Sequence, residues 1–381
     1  MFVARVVRGF IRWWTALRVL GILLLALALA IGALGYFNEG GWLYLTDTTR
    51  QIIANYSVQV STELAGIAIL IFVVESLYRR RDTEQEKRRL IQQLGSSDSV
   101  SALEAARTLR TRGWLRDGSV NKANLQAANL READLQWASL REANLREANL
   151  QGANLRCADL QDANLTDAKL QGANLAEADL QDANLMRANL QDANLTDANL
   201  QGASPYEAIL QGANLKYANL QGAGLTGVNL QGANLHEANL QAANLKYADL
   251  QYASVMRANL QYANLRDADL QDVNLRYANL QSASLTDADL KDANLKYANL
   301  QDAELVNANL QGANMWAANL QDVDLRHADL RGALLGDTNL QGSNVRHSKY
   351  NKATIWPEGF TPPPQSVDLD TETAPEDLAE E

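Results

Sequence analysis

The sequence predicts an all-β solenoid, a strand-and-turn coil stacked on itself, preceded by a short α-helical part. Three observations carry this. From about residue 120 to residue 355 a five-residue unit recurs without loss of register: a small residue, Asn or Asp, Leu, then two variable and mostly polar residues. A period of five matches neither the helix (3.6) nor the simple strand (2.0), so the chain turns a corner in every unit and winds into a right-handed coil. The residues before 95 show nothing of this repeat and hold two apolar stretches flanked by arginines instead.

Residues 1–15 read as a basic amphipathic helix. Arg5, Arg8 and Arg12 lie opposite Val6, Val7, Phe10 and Ile11, and Trp13 and Trp14 follow, a pattern suited to an anionic membrane surface. Residues 16–77 read as a two-helix transmembrane hairpin. Residues 19–37 are 19 residues without a charge, long enough to span a bilayer. A cleaved signal peptide competes for this stretch because small residues surround Ala30 and Ala33, but the start is tryptophan-rich and a second apolar segment follows. After a turn over residues 38–47, that second segment runs through Ile52 and Ile53 to residues 64–74. Glu63 and Glu75 occupy its ends, either as functional groups within the membrane or, in the plainer reading, with Glu63 near the interface. Arg5, Arg8, Arg12 and Arg18 precede the first span, Arg79, Arg80, Arg81, Lys87, Arg88 and Arg89 follow the second, and the intervening loop has only Arg50. The positive-inside rule then places both termini and the repeats in the cytoplasm.

Residues 78–117 form a cytoplasmic helical linker and N-terminal cap. Residues 78–94 continue the second helix, and Gly95-Ser96-Ser97-Asp98 breaks it and offers an N-cap. Val100, Leu103, Ala106 and Leu109 give the next helix one apolar face. Trp114 and Leu115 follow, just ahead of the first repeat. The open end of a solenoid exposes unpaired backbone and an apolar bore, so this helix with Trp114 and Leu115 is assigned as its cover. Trp356 and Phe360 are assigned to the other end of a repeat domain that covers residues 118–360. Residues 361–381 are Pro-rich and acidic with few apolar groups, and are expected to be disordered.

Within the array the centres run Leu125, Leu130, Leu135, Leu140, Leu145 and onward to Leu340, with Val345, Tyr350 and Ile355 closing the series, and Ala123, Ala128 and Ala133 begin the small-residue row. This A-(N/D)-L-x-x run resembles the pentapeptide-repeat proteins. The resemblance implies a right-handed quadrilateral β-helix with four units per coil, Leu and Ala inward and the rest outward. At a coil spacing of about 4.8 Å the array would make about 12 coils and a rod of about 55 Å. Pro205, at a Leu position, lacks the N–H that a ladder needs, and a local bulge is expected there, with a dedicated contact site as the alternative. Comparable arrays are abundant in photosynthetic bacteria, so the implied site is the plasma or thylakoid membrane of a bacterium.

Charge divides the chain into three objects. Residues 1–120 carry 15 Lys and Arg against 10 Asp and Glu, residues 121–350 carry 18 against 27, and residues 351–381 carry 1 against 8. The single cysteine, Cys157, excludes an intramolecular disulfide and lies at an outward position. Residues twenty apart share a face. Gln161 to Gln341 form one column and Gln151 to Gln271 another, and stacked glutamines are expected to hydrogen-bond along the rod. Tyr247, Tyr252, Tyr262, Tyr277 and Tyr297 form an aromatic band, a candidate protein-binding feature, although surface aromatic pairs also stabilise sheets. His327 and His347 share a column, but two imidazoles without a cysteine or an arranged carboxylate make a poor metal site.

No catalytic constellation, phosphate-cradling loop or metal-ligand spacing occurs, and a filled bore leaves no cleft. The sequence therefore predicts no enzyme, no cofactor and no metal. It predicts a membrane-tethered scaffold whose partners are the lipid bilayer and one or more unidentified proteins, with self-association also open. Some pentapeptide-repeat proteins mimic DNA and interact with topoisomerases, and the resemblance carries that as an alternative. Against it stand the 18 basic residues of the rod and the absence of Phe at the centres, so nucleic acid is not an expected partner. A further alternative makes the hairpin the working part of a small assembly or transport protein, with the rod regulating it.

Overall fold

The computed structural model describes residues 47–364 and 366–368, together with residues 22–24, 26, 27 and 30. The chain divides into two compact units, residues 1–88 and 89–381. Helix α1 runs unbroken over Asp47–Leu94, its residues up to 88 in the first unit. Ile67, Ile69, Leu70, Phe72, Val73 and Leu77 stand exposed along it. Among the described residues α1 is the one helix long and apolar enough to cross a membrane, by length and composition. Glu75 is buried and accepts hydrogen bonds from Arg79 Nε and Nη2 (3.0 and 2.5 Å) one turn on. Of the first predicted span only the six positions named above are described, and they are helical. The amphipathic helix of residues 1–15 and the turn preceding Asp47 lie outside the described residues.

In the second unit, α1 is followed by α2, Ser99–Thr111, whose N-cap is Asp98. Asp98 Oδ2 accepts from the Ser101 N–H (2.9 Å) and hydroxyl (2.6 Å), and these bonds to Ser101 hold its carboxyl below the usual range. The helix stops because Gly113 adopts φ +75°, letting its N–H reach Arg110 O (2.9 Å) and the Trp114 N–H reach Leu109 O (2.8 Å).

From residue 123 the chain climbs in parallel twenty-residue coils. Asn124 pairs with Asn144, Asn144 with Asn164, and so on through Asp329 with Lys349. Four five-residue units thus make one coil. Each corner closes with a bond such as Ala128 N–H to Leu125 O (3.1 Å). The second variable residue of each unit takes the left-handed conformation that this turn requires, as in Glu132 (φ 58°) and Tyr277 (φ 60°). Ladder bonds such as Leu220 N–H to Asn239 O (2.7 Å) join the coils. The Leu and Ala rows are buried from end to end and form one continuous core. Burying each Leu contributes about 1.5–3 kcal/mol, and Ala beside it leaves room for the next.

Three expectations change. Pro205 makes no bulge: it is buried at its Leu position, Ser204 still pairs with Asn184, and Ile209 pairs with Asn229 in unbroken twenty-residue register. The lost N–H costs one rung, so Ser204 has no bridge to Gly224 although Gly224 still donates to Ala203 O (2.8 Å). At the far end Leu334 pairs with Ile355, a step of one residue more than twenty. Thr354 therefore fills the small-residue place, Ile355 faces outward, 46% exposed, and Trp356 takes the centre. Finally, the segment after residue 361, expected to be disordered, supplies a strand. β1 (Lys349–Tyr350) pairs in parallel with β2 (Val367–Asp368), and Val367 N–H donates to Ser348 O (2.8 Å). Residues 369–381 lie outside the described residues.

Candidate functional site

The two ends of the solenoid are closed by identifiable groups. At the start, Leu115 is buried and Trp114 packs on the same core, together with Leu94 and Leu109. Ser96 O accepts from Asn129 N–H (2.9 Å) and Leu115 O from Ser139 N–H (2.7 Å), so the cap continues the ladder that the first coil would leave open. At the finish, Trp356 stacks on Phe360 (5.1 Å between centroids) and meets Tyr350 edge-on (5.8 Å). All three rings pack against the core.

Along the sides, asparagine side chains add a second set of bonds between coils beside the backbone ladder. In many units the Asn or Asp before Leu accepts the N–H of the residue two further on and bonds its counterpart one coil away. Asn219, for example, accepts from Gln221 N–H (3.2 Å) and Asn239 Nδ2 (3.1 Å) and donates to Asn199 Oδ1 (3.1 Å). The glutamine ladder exists only in part. Gln151 donates to Gln171 (3.2 Å) and Gln261 to Gln281 (3.2 Å), but Gln231 turns to Asp249 (2.8 Å) and Gln251 to Asp269 (2.5 Å).

The five tyrosines do not form one band. Tyr247, Tyr252 and Tyr262 are strongly exposed, but five residues in sequence is one side of the square, so they stand at three different corners. Tyr277 and Tyr297 occupy a fourth corner on successive coils, where their rings stack (4.9 Å, 16°). Arg257 and Arg276 lie over Tyr277 (5.7 and 5.6 Å) and Lys296 over Tyr297 (5.0 Å). Lys216 covers Tyr217 at the same corner (4.6 Å), and His236 meets Tyr217 edge-on (6.3 Å). Trp316 continues the line, its indole lying on Gly336, where a methyl group would collide with it. The cations and Trp316 at this corner are not evident when tyrosines are grouped by coil. Stepping by twenty through both variable positions together would have found them.

Elsewhere the outward charges mostly neutralise one another. Arg187 forks onto Asp167 one coil below (2.8 and 2.9 Å) and holds that carboxyl below its ordinary value. Arg156 pairs with Glu177 (2.6 Å). Cys157 is half-buried with its Sγ 3.5 Å from Glu177 Oε2, and burial together with that carboxylate pushes the thiol up, away from reactivity. His327 and His347 stack (5.0 Å), and among the described residues no group of three potential metal ligands assembles.

These features define a class: a solenoid with a filled bore, whose chemistry lies entirely on its outer corners. The pentapeptide-repeat sequence profile matches across residues 121–349, and the chain belongs to the pentapeptide-repeat family. Its fold is that family's right-handed β-helix. The chain is similar to HetL, a pentapeptide repeat protein involved in heterocyst differentiation regulation from the cyanobacterium Nostoc sp. strain PCC 7120, with 34% identity over 54% of this chain and 88% of that one (TM-score 0.34). It is similar to Rfr23 from the cyanobacterium Cyanothece 51142, with 33% identity over 34% of this chain and 88% of that one (TM-score 0.15). QnrB1, a plasmid-mediated fluoroquinolone resistance protein, shares 17% identity over 56% of this chain and 90% of that one (TM-score 0.30). Among curated proteins, none matches the chain.

Proposed function

We propose that the protein is a membrane-tethered scaffold that presents the corners of its β-helix to protein partners at the cytoplasmic face. The observation that carries this reading is the division of labour in the coil. Leu and Ala are consumed by the bore and Asn by the ladder, leaving only the two variable residues of each unit free to differ. A filled solenoid offers surface rather than a cleft, which suits binding and not catalysis. The apolar, outward-facing side chains of α1 support the tether, and the basic clusters at either end of the hairpin region support an inside location for both termini.

The test compares the intact protein, solubilised gently from native membranes, with one lacking residues 118–360. Partners recovered with the first and lost with the second support the scaffold. The same partners on both would move the function to the helices. Carbonate washing of membranes addresses the tether separately, since release of the intact chain into the supernatant would remove it.

A further inference from the structure

The corner that carries Tyr277 and Tyr297 differs from the rest of the solenoid in its charge. Over residues 121–350 acids exceed bases, and most of the arginines sit in ion pairs. At this corner Arg276 and Lys296 form no ion pair among the described residues; their neighbours are the tyrosine faces. Arg276 also buries its Nε with no hydrogen-bond acceptor, a charged donor left unmet. Arg257 alone has a carboxylate, Glu237 (3.6 Å), which is shared with His236 (3.1 Å). Both flanking sides are neutral amide: Asn274, Asn294 and Asn314 on one, Asn279, Asn299 and Asn319 on the other. The acids of the same coils lie off this corner: Asp272 and Asp292 one corner away, Asp267 and Asp287 at the opposite corner, and Asp269 and Asp289 on a side.

We infer that this corner, built from Arg257, Arg276, Tyr277, Lys296, Tyr297 and Trp316, is a docking ridge for a carboxylate-rich, extended segment of a partner protein. The inference rests on the scaffold reading and names the chemistry of its partner. Arginine forks match carboxylates in geometry as well as charge. Single-stranded nucleic acid fits less well. It binds through bases stacked on open aromatic faces, and here the tyrosine faces are already covered by each other and by the cations. Duplex nucleic acid would bring its charge against the acid-rich remainder of the coil. From Lys216 to Trp316 the corner spans five coil spacings, about 24 Å, which about eight extended residues would cover.

The test uses the full chain in nanodiscs of phosphatidylcholine, which carries no net charge, and follows the anisotropy of a labelled peptide of alternating Glu and Ser, about ten residues long. The wild type should bind it and ignore the Gln counterpart. Arg276→Gln with Lys296→Gln should weaken binding at least about tenfold. Lys291→Gln, an exposed cation at another corner, should leave it unchanged. Four results overturn the assignment: no binding to the Glu peptide at low salt; equal weakening by Lys291→Gln; tighter, ridge-dependent binding of oligothymidylate; or binding that appears only after residues 369–381 are removed, which would make this chain's own acidic segment the occupant. If the ridge variants keep every partner that deletion of residues 118–360 loses, the scaffold reading stands and the ridge falls. If that deletion loses no partner, both fall.

Discussion

Replacing Asn219 with Ala tests which side chains hold the coils together. Three hydrogen bonds disappear, those with Gln221 N–H (3.2 Å), Asn239 Nδ2 (3.1 Å) and Asn199 Oδ1 (3.1 Å). A typical net contribution is about 0.5–1.5 kcal/mol each. Asn219 is only half-buried, so water compensates in part, and about 1.5–3 kcal/mol is the expected local loss. Gln221, two residues on, makes one long side-chain bond to Gln241 (3.4 Å), and Gln221→Ala should cost under about 0.5 kcal/mol. A solenoid opens coil by coil, so global melting would blur the difference. Hydrogen exchange read by mass spectrometry resolves it. A loss of 2 kcal/mol makes local opening about 30-fold more frequent, seen as faster exchange in the coils that hold residues 199, 219 and 239. Asn219→Asp keeps both acceptor roles and should fall between the two. If Asn219→Ala and Gln221→Ala exchange at the same rate, the asparagine ladder is not what couples the coils, and the backbone bonds alone must do it.

Other expectations concern the bore, the distal coils and the cysteine. Leu235 is fully buried, and Leu235→Ala should destabilise its coil by about 2–5 kcal/mol, measured by the same exchange experiment; a cost below that of Asn219→Ala would contradict the packed interior. Asp329 is partly buried, which disfavours its ionised form, but the bonds from Arg331 Nε (2.9 Å) and Nη2 (2.6 Å) outweigh this and hold its carboxyl below the ordinary range. A folded-state value below the unfolded one means stability that is present above about pH 4 and lost as pH falls through the lower folded value. Arg331 is only partly exposed but its charge still faces water, so Arg331→Gln should cost about 0.5 kcal/mol at pH 7, with the gap to the wild type closing under acid; a pH-independent gap would mean lost packing instead. Cys157 should alkylate more slowly at pH 8 than an ordinary thiol, and Glu177→Gln should speed it by removing the carboxylate that raises the thiol, an effect that iodoacetamide kinetics would register.

The fold was legible because its strongest signal is also its strongest energy. Leu at every fifth position records a bore that cannot accept anything much larger or more polar, and the Ala beside it records the room left over. The departures from the sequence expectation depend on geometry that the period does not encode. Gln and Asn are both amides at fixed spacing, but the short Asn side chain bonds mostly its counterpart and its own turn, whereas Gln231 and Gln251 can choose a neighbouring carboxylate. Pro205 suggested a bulge by its chemistry, yet neighbouring rungs on the same coil fix the register and absorb one lost bond. The step of one residue before Ile355 is invisible because Ile is as plausible at a centre as Leu; only the pairing with Leu334 shows it facing out.

The corners were least legible, and for a physical reason. The second variable residue must adopt positive φ, a demand on the backbone that Asp, Gly, Tyr, Glu and His all meet here. Selection by conformation leaves side-chain chemistry almost free, so a single residue there carries little information about folding. A run of them does carry information about binding. Nothing in the turn requires Arg276 beside Tyr277 or Lys296 beside Tyr297, and Asp or Gly in place of either tyrosine would suit the left-handed backbone at least as well. Residues that the fold does not ask for, repeated at one corner on successive coils, are the part of this sequence that structure alone does not explain, and they are where a partner has to be sought.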